Sequence, residues 1–153
     1  MSSIQQHRQF FAEFIVRGAG SSDPQLIQAF ADVPREDYCG PGPWPFFVGS
    51  GYVTSVDDDP RVLYQDALIG LATDRKINNG QPSLHARCLA AAAATKGESV
   101  VHIGAGTGYY TAILASLVGA EGRVTGFEIE RDLAARAAQN LAHFPNVSVY
   151  AES

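Results

Sequence analysis

Apolar positions recur at helical spacing twice near the start of the chain. Residues 3 to 17 carry Ile4, Phe11, Phe14 and Ile15, and Gly18 and Gly20 follow as stop signals. In "SSDPQLIQAFADVP", Asp23 can cap and Pro24 can take the first helical position. Leu26, Ile27, Phe30 and Val33 then form an apolar stripe that Pro34 ends. The segment from 34 to 60 breaks the pattern: five prolines and four glycines leave no period to follow. A long irregular stretch of this kind is usually functional or disordered, and Tyr38, Trp44, Phe46, Phe47 and Tyr52 argue for packing.

From residue 82 the pattern is regular. "PSLHARCLAAAAAT" favours a helix by propensity, with Leu84, Cys88 and Leu89 on one side. "SVVHIG" (99–104) is a short β-branched run bounded by glycine, hence a buried strand. "TGYYTAILASLVG" (107–119) predicts a helix, "RVTGFEIE" (123–130) a strand, "RDLAARAAQNLA" (131–142) a helix and "NVSVYA" (146–151) a third strand. Alternation at these lengths implies right-handed crossovers and a parallel sheet. The expected fold is therefore α/β, a Rossmann-like parallel βαβαβ sheet behind an N-terminal helical and irregular extension. The division falls at residues 1–81 and 82–153.

Composition narrows the function classes. The 153 residues are 46% hydrophobic and 18% charged with a net charge of -5, so the chain reads as globular and offers no basic face for nucleic acid. Cys39 and Cys88 lie far apart without CxxC spacing, as in a reduced, cytoplasmic protein. The start, "MSSIQQHRQFF", lacks the pattern of a signal peptide, and no run nears the roughly 18 apolar residues of a membrane span. Four scattered histidines and two cysteines show no metal-ligand spacing.

The chemistry concentrates in "VVHIGAGTGYY". Gly104-Ala105-Gly106-Thr107-Gly108 leaves a strand and opens a helix, and glycines there let a ligand approach the backbone. At the end of the next strand stands Glu128, placed to accept hydrogen bonds from both hydroxyls of a ribose. A dinucleotide loop reads G-x-G-x-x-G; this one is tighter, with Tyr109 next, and suits a cofactor without a pyrophosphate. S-adenosyl-L-methionine fits that description, ahead of a nicotinamide dinucleotide.

"VVHIGAGTGYYTAILASLVG" and "GRVTGFEIERDLAARAAQNL" resemble the first two motifs of the protein-L-isoaspartate O-methyltransferases. The resemblance extends upstream through "QPSLHAR", "YQDALIG" and "VPRED", over most of residues 8 to 153. It implies a class I methyltransferase fold, S-adenosyl-L-methionine as cofactor, and an isoaspartyl-like protein or peptide carboxylate, or another carboxylate, as acceptor. It assigns Gly104, Ala105, Gly106, Thr107, Gly108 and Tyr109 to the cofactor turn, with His102 just before it, and Glu128 and Ile129 to the nucleoside. Gln81, Pro82, Ser83 and Leu84 fall along the wall between cofactor and acceptor.

Two departures matter. The family usually carries an acid where this chain has His102, and a serine where it has Gly80, directly before the Gln-Pro pair. Asn79 or Ser83 is then the candidate catalytic substitute for the missing hydroxyl, or the substrate differs. A plain reading stands beside this one: the polar residues of "INNGQPSLHA" mark a helix start led by Pro82. If the acceptor is isoaspartyl, Gly80→Ser is expected to restore a hydrogen bond and raise turnover; with a bulkier acceptor it is expected to hinder binding.

A carboxylate titrating near about pH 4 is already ionised at neutral pH, so no general base is needed. The family's open sheet continues past three strands, whereas this chain stops at Ser153. With three strands alone, "VVHIG" is expected to be an exposed edge with a tendency to associate, in an incomplete methyltransferase fold. A non-catalytic cofactor-binding or interaction module is the alternative from another class.

Overall fold

A computed structural model describes residues 2–152. Ser2 opens the first helix, α1 (Ser3–Gly18), through a capping box. Its hydroxyl accepts from the Gln5 amide at 3.4 Å while the Gln5 side chain accepts from the Ser2 amide at 2.8 Å. α1 buries Phe11, Ala12, Ile15 and Val16. Phe14, expected in the apolar stripe, is instead 62% exposed and stacks on exposed Phe10. The packing of α1 against two neighbouring helices selects the face with Ala12 and Val16, where backbones approach closely. α2 (Pro24–Asp32) forms as its residues predict: the Asp23 carboxylate accepts from the Gln25 amide at 2.9 Å, and Leu26, Ile27, Phe30 and Val33 are buried.

The segment expected to be irregular contains ordered pieces. α3 (Glu36–Cys39) is followed by an antiparallel hairpin, β1 (Pro45–Phe47) with β2 (Tyr52–Thr54). Three-residue strands offer too few positions for an alternation to show. Trp44, Cys39, Leu63 and Ile69 make a small second core beneath the hairpin. A single-turn helix at Pro60–Leu63 leads to β3 (Gly70–Ala72), a tight turn at Thr73–Arg75 and β4 (Ile77–Asn78), which pairs back on β3.

Arg35 shapes this region. It is wholly buried, and its guanidinium donates to the carbonyls of Leu63, Gln65 and Ala67. Three carbonyls stand in for a counter-ion, and the ring faces of Phe11 and Tyr109 lie within 6 Å of the cation, at 5.6 and 5.9 Å.

The C-terminal half follows the expected order: α4 (Pro82–Ala92), β5 (Ser99–Ile103), α5 (Tyr109–Val118), β6 (Arg123–Phe127), α6 (Arg131–Asn140) and β7 (Val147–Tyr150). The three strands are parallel in the order β5-β6-β7. α4 buries Ala86 and Leu89, not the side carrying Leu84 and Cys88, which are exposed. An alanine-rich helix has no dominant apolar stripe, so contact with α1 chooses its face. β5 is not fully buried either. It lies at the edge of the described sheet, with Val101 61% and Ile103 69% exposed, while Val100 packs on the core. One core joins both halves of the chain, from Phe11, Ile15 and Phe30 to Ala86, Ile113 and Val124.

Candidate functional site

The glycine loop leaves β5 at the carboxyl end of the sheet, where α/β folds place their ligands. Gly104, Gly106 and Gly108 all adopt left-handed backbone, with φ of 78°, 57° and 100°. At Gly108 a Cβ would also lie 2.7 Å from Leu141, so that glycine lets α5 start against the end of α6. At Gly104 a Cβ would meet nothing within 4 Å, so the loop opens onto free space there. The Thr107 hydroxyl donates to the Tyr38 carbonyl at 2.6 Å and the Thr107 carbonyl accepts from the Asn140 side chain at 2.9 Å. Thr107 therefore anchors the loop to α3 and α6.

Glu128 follows β6 and turns back to this loop. One carboxylate oxygen accepts from the Gly106 amide at 2.7 Å and the other from the Glu130 amide at 2.9 Å. The residue is only 7% exposed. Each oxygen retains a second lone pair, so the carboxylate can hold the loop and still accept from a ligand. His102 is hydrogen-bonded to the Thr111 hydroxyl at 2.8 Å, and burial lowers its pKa, so a neutral ring stands where an acid was expected.

The facing wall comes from the segment between Gly70 and His85. Asn79 is used structurally: its side-chain oxygen accepts from the Ile69 amide at 3.0 Å and its amide nitrogen points to the Cys39 sulfur at 3.9 Å. Asp66 supplies the start of α4, accepting from the Ser83 amide at 2.9 Å and the Gln81 side chain at 3.1 Å. The cap of "INNGQPSLHA" is thus provided from 17 residues away.

A pair of rings completes the wall. His85 stacks on Tyr110 with centroids 3.6 Å apart and planes 3° from parallel, and the Tyr110 hydroxyl donates to the Gly80 carbonyl at 3.2 Å. Gly80 has φ 77°, and a Cβ there would lie 2.2 Å from His85 Nε2. A serine here would meet the His85 ring before it could offer a hydroxyl. Gly80 is glycine because the ring of His85 occupies the space of its side chain.

The pocket between these walls gathers Asn79, Gly104, Ala105, Gly106, Thr107 and Tyr109 from the residues assigned by sequence. It leaves Gln81, Pro82, Ser83, Leu84, His102, Gly108, Glu128 and Ile129 outside its lining and adds Leu71, Asn78, Gly80, His85 and Tyr110. Ser83 reaches Asp66 through its backbone, and Leu84 and Ile129 are exposed. His85 and Tyr110 belong to different helices, and no local pattern announces that their rings meet. The buried Tyr109 hydroxyl has no hydrogen-bond partner among the described residues.

Burial first, and then the neighbouring His102 ring and the Arg35 guanidinium, push the His85 imidazole down to about 4. An unfolded chain's histidine titrates near about 6.5, so as pH falls the unfolded state gains its proton first. Stability from this group is complete above about pH 6.5 and is lost as pH falls toward 4. With partial solvent screening the expected loss is about 1–2 kcal/mol. Urea unfolding of wild type and His85→Phe across that window checks it; equal pH slopes in the two proteins reject it.

Sequence comparison decides the family. The profile of the protein-L-isoaspartate(D-aspartate) O-methyltransferases (PCMT) matches residues 5–151. The chain belongs to this family. A Thermotoga maritima protein-L-isoaspartate O-methyltransferase is 30% identical over 84% of this chain and 36% of its own length. A second relative, protein-L-isoaspartate O-methyltransferase 2 of Anaeromyxobacter sp., is 30% identical over 92% of this chain and 49% of its own. The chain thus spans about half or less of these PCMT relatives.

Solved structures agree on the fold. One protein-L-isoaspartate O-methyltransferase superposes with a TM-score of 0.73 at 25% identity, over 95% of this chain and 42% of its own. A Plasmodium falciparum structure, described as a putative PCMT in complex with S-adenosyl-L-homocysteine, gives 0.68 at 17% identity over 95% and 62%. Among the described residues no helix is long and apolar enough to cross a membrane.

Proposed function

We propose that this PCMT-family chain binds S-adenosyl-L-methionine at the glycine loop and acts in methyl transfer to isoaspartyl carboxylates of proteins or peptides. The observation that carries the reading is Glu128, buried at the end of β6 and holding the Gly106 amide while keeping lone pairs for a ribose. The residues fit the cofactor on independent grounds as well. Gly104 opens onto free space, and the buried Tyr109 hydroxyl has no hydrogen-bond partner among the described residues.

The cofactor, when bound, supplies the electrophilic methyl group. The protein's own residues bind, orient and exclude water. Neutral His102 adds no positive charge beside a cationic ligand. Neutral His85, held flat against Tyr110, gives the acceptor side a rigid wall that leaves a carboxylate free of an ion pair. The reacting oxygen is already ionised, no proton changes hands, and holding it in line accounts for up to about 7–11 kcal/mol of the barrier. A reducing, cytoplasmic setting belongs to this reading, because Cys88 is an exposed free thiol.

Titration calorimetry with S-adenosyl-L-methionine and with NAD tests the site; binding of the first alone is the expected result, and binding of NAD alone overturns it. Incubation with tritiated cofactor and an isoaspartyl peptide tests the activity. A base-labile tritiated ester is expected, and cofactor binding without any ester rejects catalysis by this chain.

A further inference from the structure

The segment from Gly70 to Gly80 forms a strap beside the glycine loop, and one exposed cluster joins it to the far wall. Arg75, at the strap's tip, makes a two-pronged contact with Asp132, Nη1 to Oδ1 at 3.0 Å and Nη2 to Oδ2 at 2.6 Å. Its Nη1 also pairs with the Glu130 carboxylate. These partners stand 55 and 57 residues away, at the start of α6.

The strap is anchored elsewhere by packing. At its base, a Cβ on Gly70 would lie 2.5 Å from Thr73 and 3.0 Å from Pro45, so this end is closed tightly on the hairpin. Beside that base, Leu71 lies over the loop, 3.7 Å from where a Gly106 Cβ would be. Lys76, next to the clasp, sits in left-handed backbone at φ 58°, a conformation that costs a non-glycine residue energy and needs neighbouring contacts to hold it.

Isolated surface ion pairs contribute little, but a planar two-pronged arginine with a second acid is the geometry that contributes most. The cluster also continues inward: the Glu130 amide donates to Glu128, whose other oxygen accepts from the Gly106 amide. Strap, α6 start and glycine loop therefore form one connected path.

We infer that Arg75 is a positioning residue for the pocket: its clasp latches the strap over the glycine loop and, through Glu130, steadies Glu128. The part of this inference that concerns cofactor affinity rests on the function proposed above; the latch itself does not.

Backbone hydrogen exchange on the full chain, without ligand, reads the latch directly. Arg75→Gln is expected to speed exchange about 3- to 10-fold at residues 71–78 and also at Gly106, leaving α5 unchanged. In wild type, 1 M potassium chloride, with a screening length of about 3 Å, is expected to do the same. The swap R75D/D132R should restore protection. Calorimetry with S-adenosyl-L-homocysteine is expected to show a parallel loss of affinity in Arg75→Gln, recovered in the swap. Faster exchange confined to residues 73–76, or none at all, overturns the latch. If wild type fails to bind S-adenosyl-L-homocysteine, the cofactor reading falls, and the exchange result still decides the latch.

Discussion

Glu128→Ala should weaken S-adenosyl-L-methionine binding by about 10- to 100-fold, the loss of one or two charge-assisted hydrogen bonds. The structure adds a second consequence. Glu128 also holds the Gly106 and Glu130 amides, so removing its carboxylate frees two backbone donors at once. Exchange at Gly106 should rise in the variant even without ligand. Glu128→Gln separates the two roles: its one carbonyl oxygen can keep the Gly106 bond, but it lacks the charge and the second acceptor. Calorimetry and amide exchange measured on both variants check the account. An unchanged dissociation constant in Glu128→Ala would show that the carboxylate serves the loop and never reaches the ligand.

The second large effect is expected at Gly80. Gly80→Ser should destabilise the protein by about 2–4 kcal/mol, because the new Cβ meets His85 and the left-handed backbone disfavours any side chain. The displaced imidazole should leave Tyr110, which a change in the tyrosine and histidine ring resonances would report. Pairing it with His85→Ala should relieve the collision but not the backbone strain, so the double variant should lose less than the two single losses combined. Strict additivity in urea unfolding would show that Gly80 and His85 do not compete for space. Activity on an isoaspartyl peptide should fall in Gly80→Ser, the reverse of what a missing serine suggests from sequence alone.

The alternation of strand and helix in the C-terminal half was open to reading without a structure. β5, α5, β6, α6 and β7 appear where β-branched runs, glycine stops and helical stretches placed them. The left-handed turns at Gly104, Gly106 and Gly108 follow from residues that alone tolerate them cheaply. Asp23 and Pro24 announce α2 in the same way. Short pieces were less legible: β1 and β2, three residues each, have no period to detect.

Features whose causes lie within a few residues are readable from the chain alone: caps, glycine turns, apolar periods, and an acid one strand beyond the loop. Those suffice for the α/β class and for the glycine-loop wall of the pocket. The facing wall was decided by tertiary structure. His85 meets Tyr110 from another helix, Asp66 caps α4 from across a loop, and Thr107 bonds to Tyr38 from 69 residues away. Arg35 orders the stretch carrying Asp66 by binding the carbonyls on both sides of it. The same long-range packing turned Phe14 and Leu84 outward and put the His85 ring where a side chain at Gly80 would stand. Local preferences are properties of neighbours in the chain; which ring fills the volume above a glycine is settled only when separate helices pack.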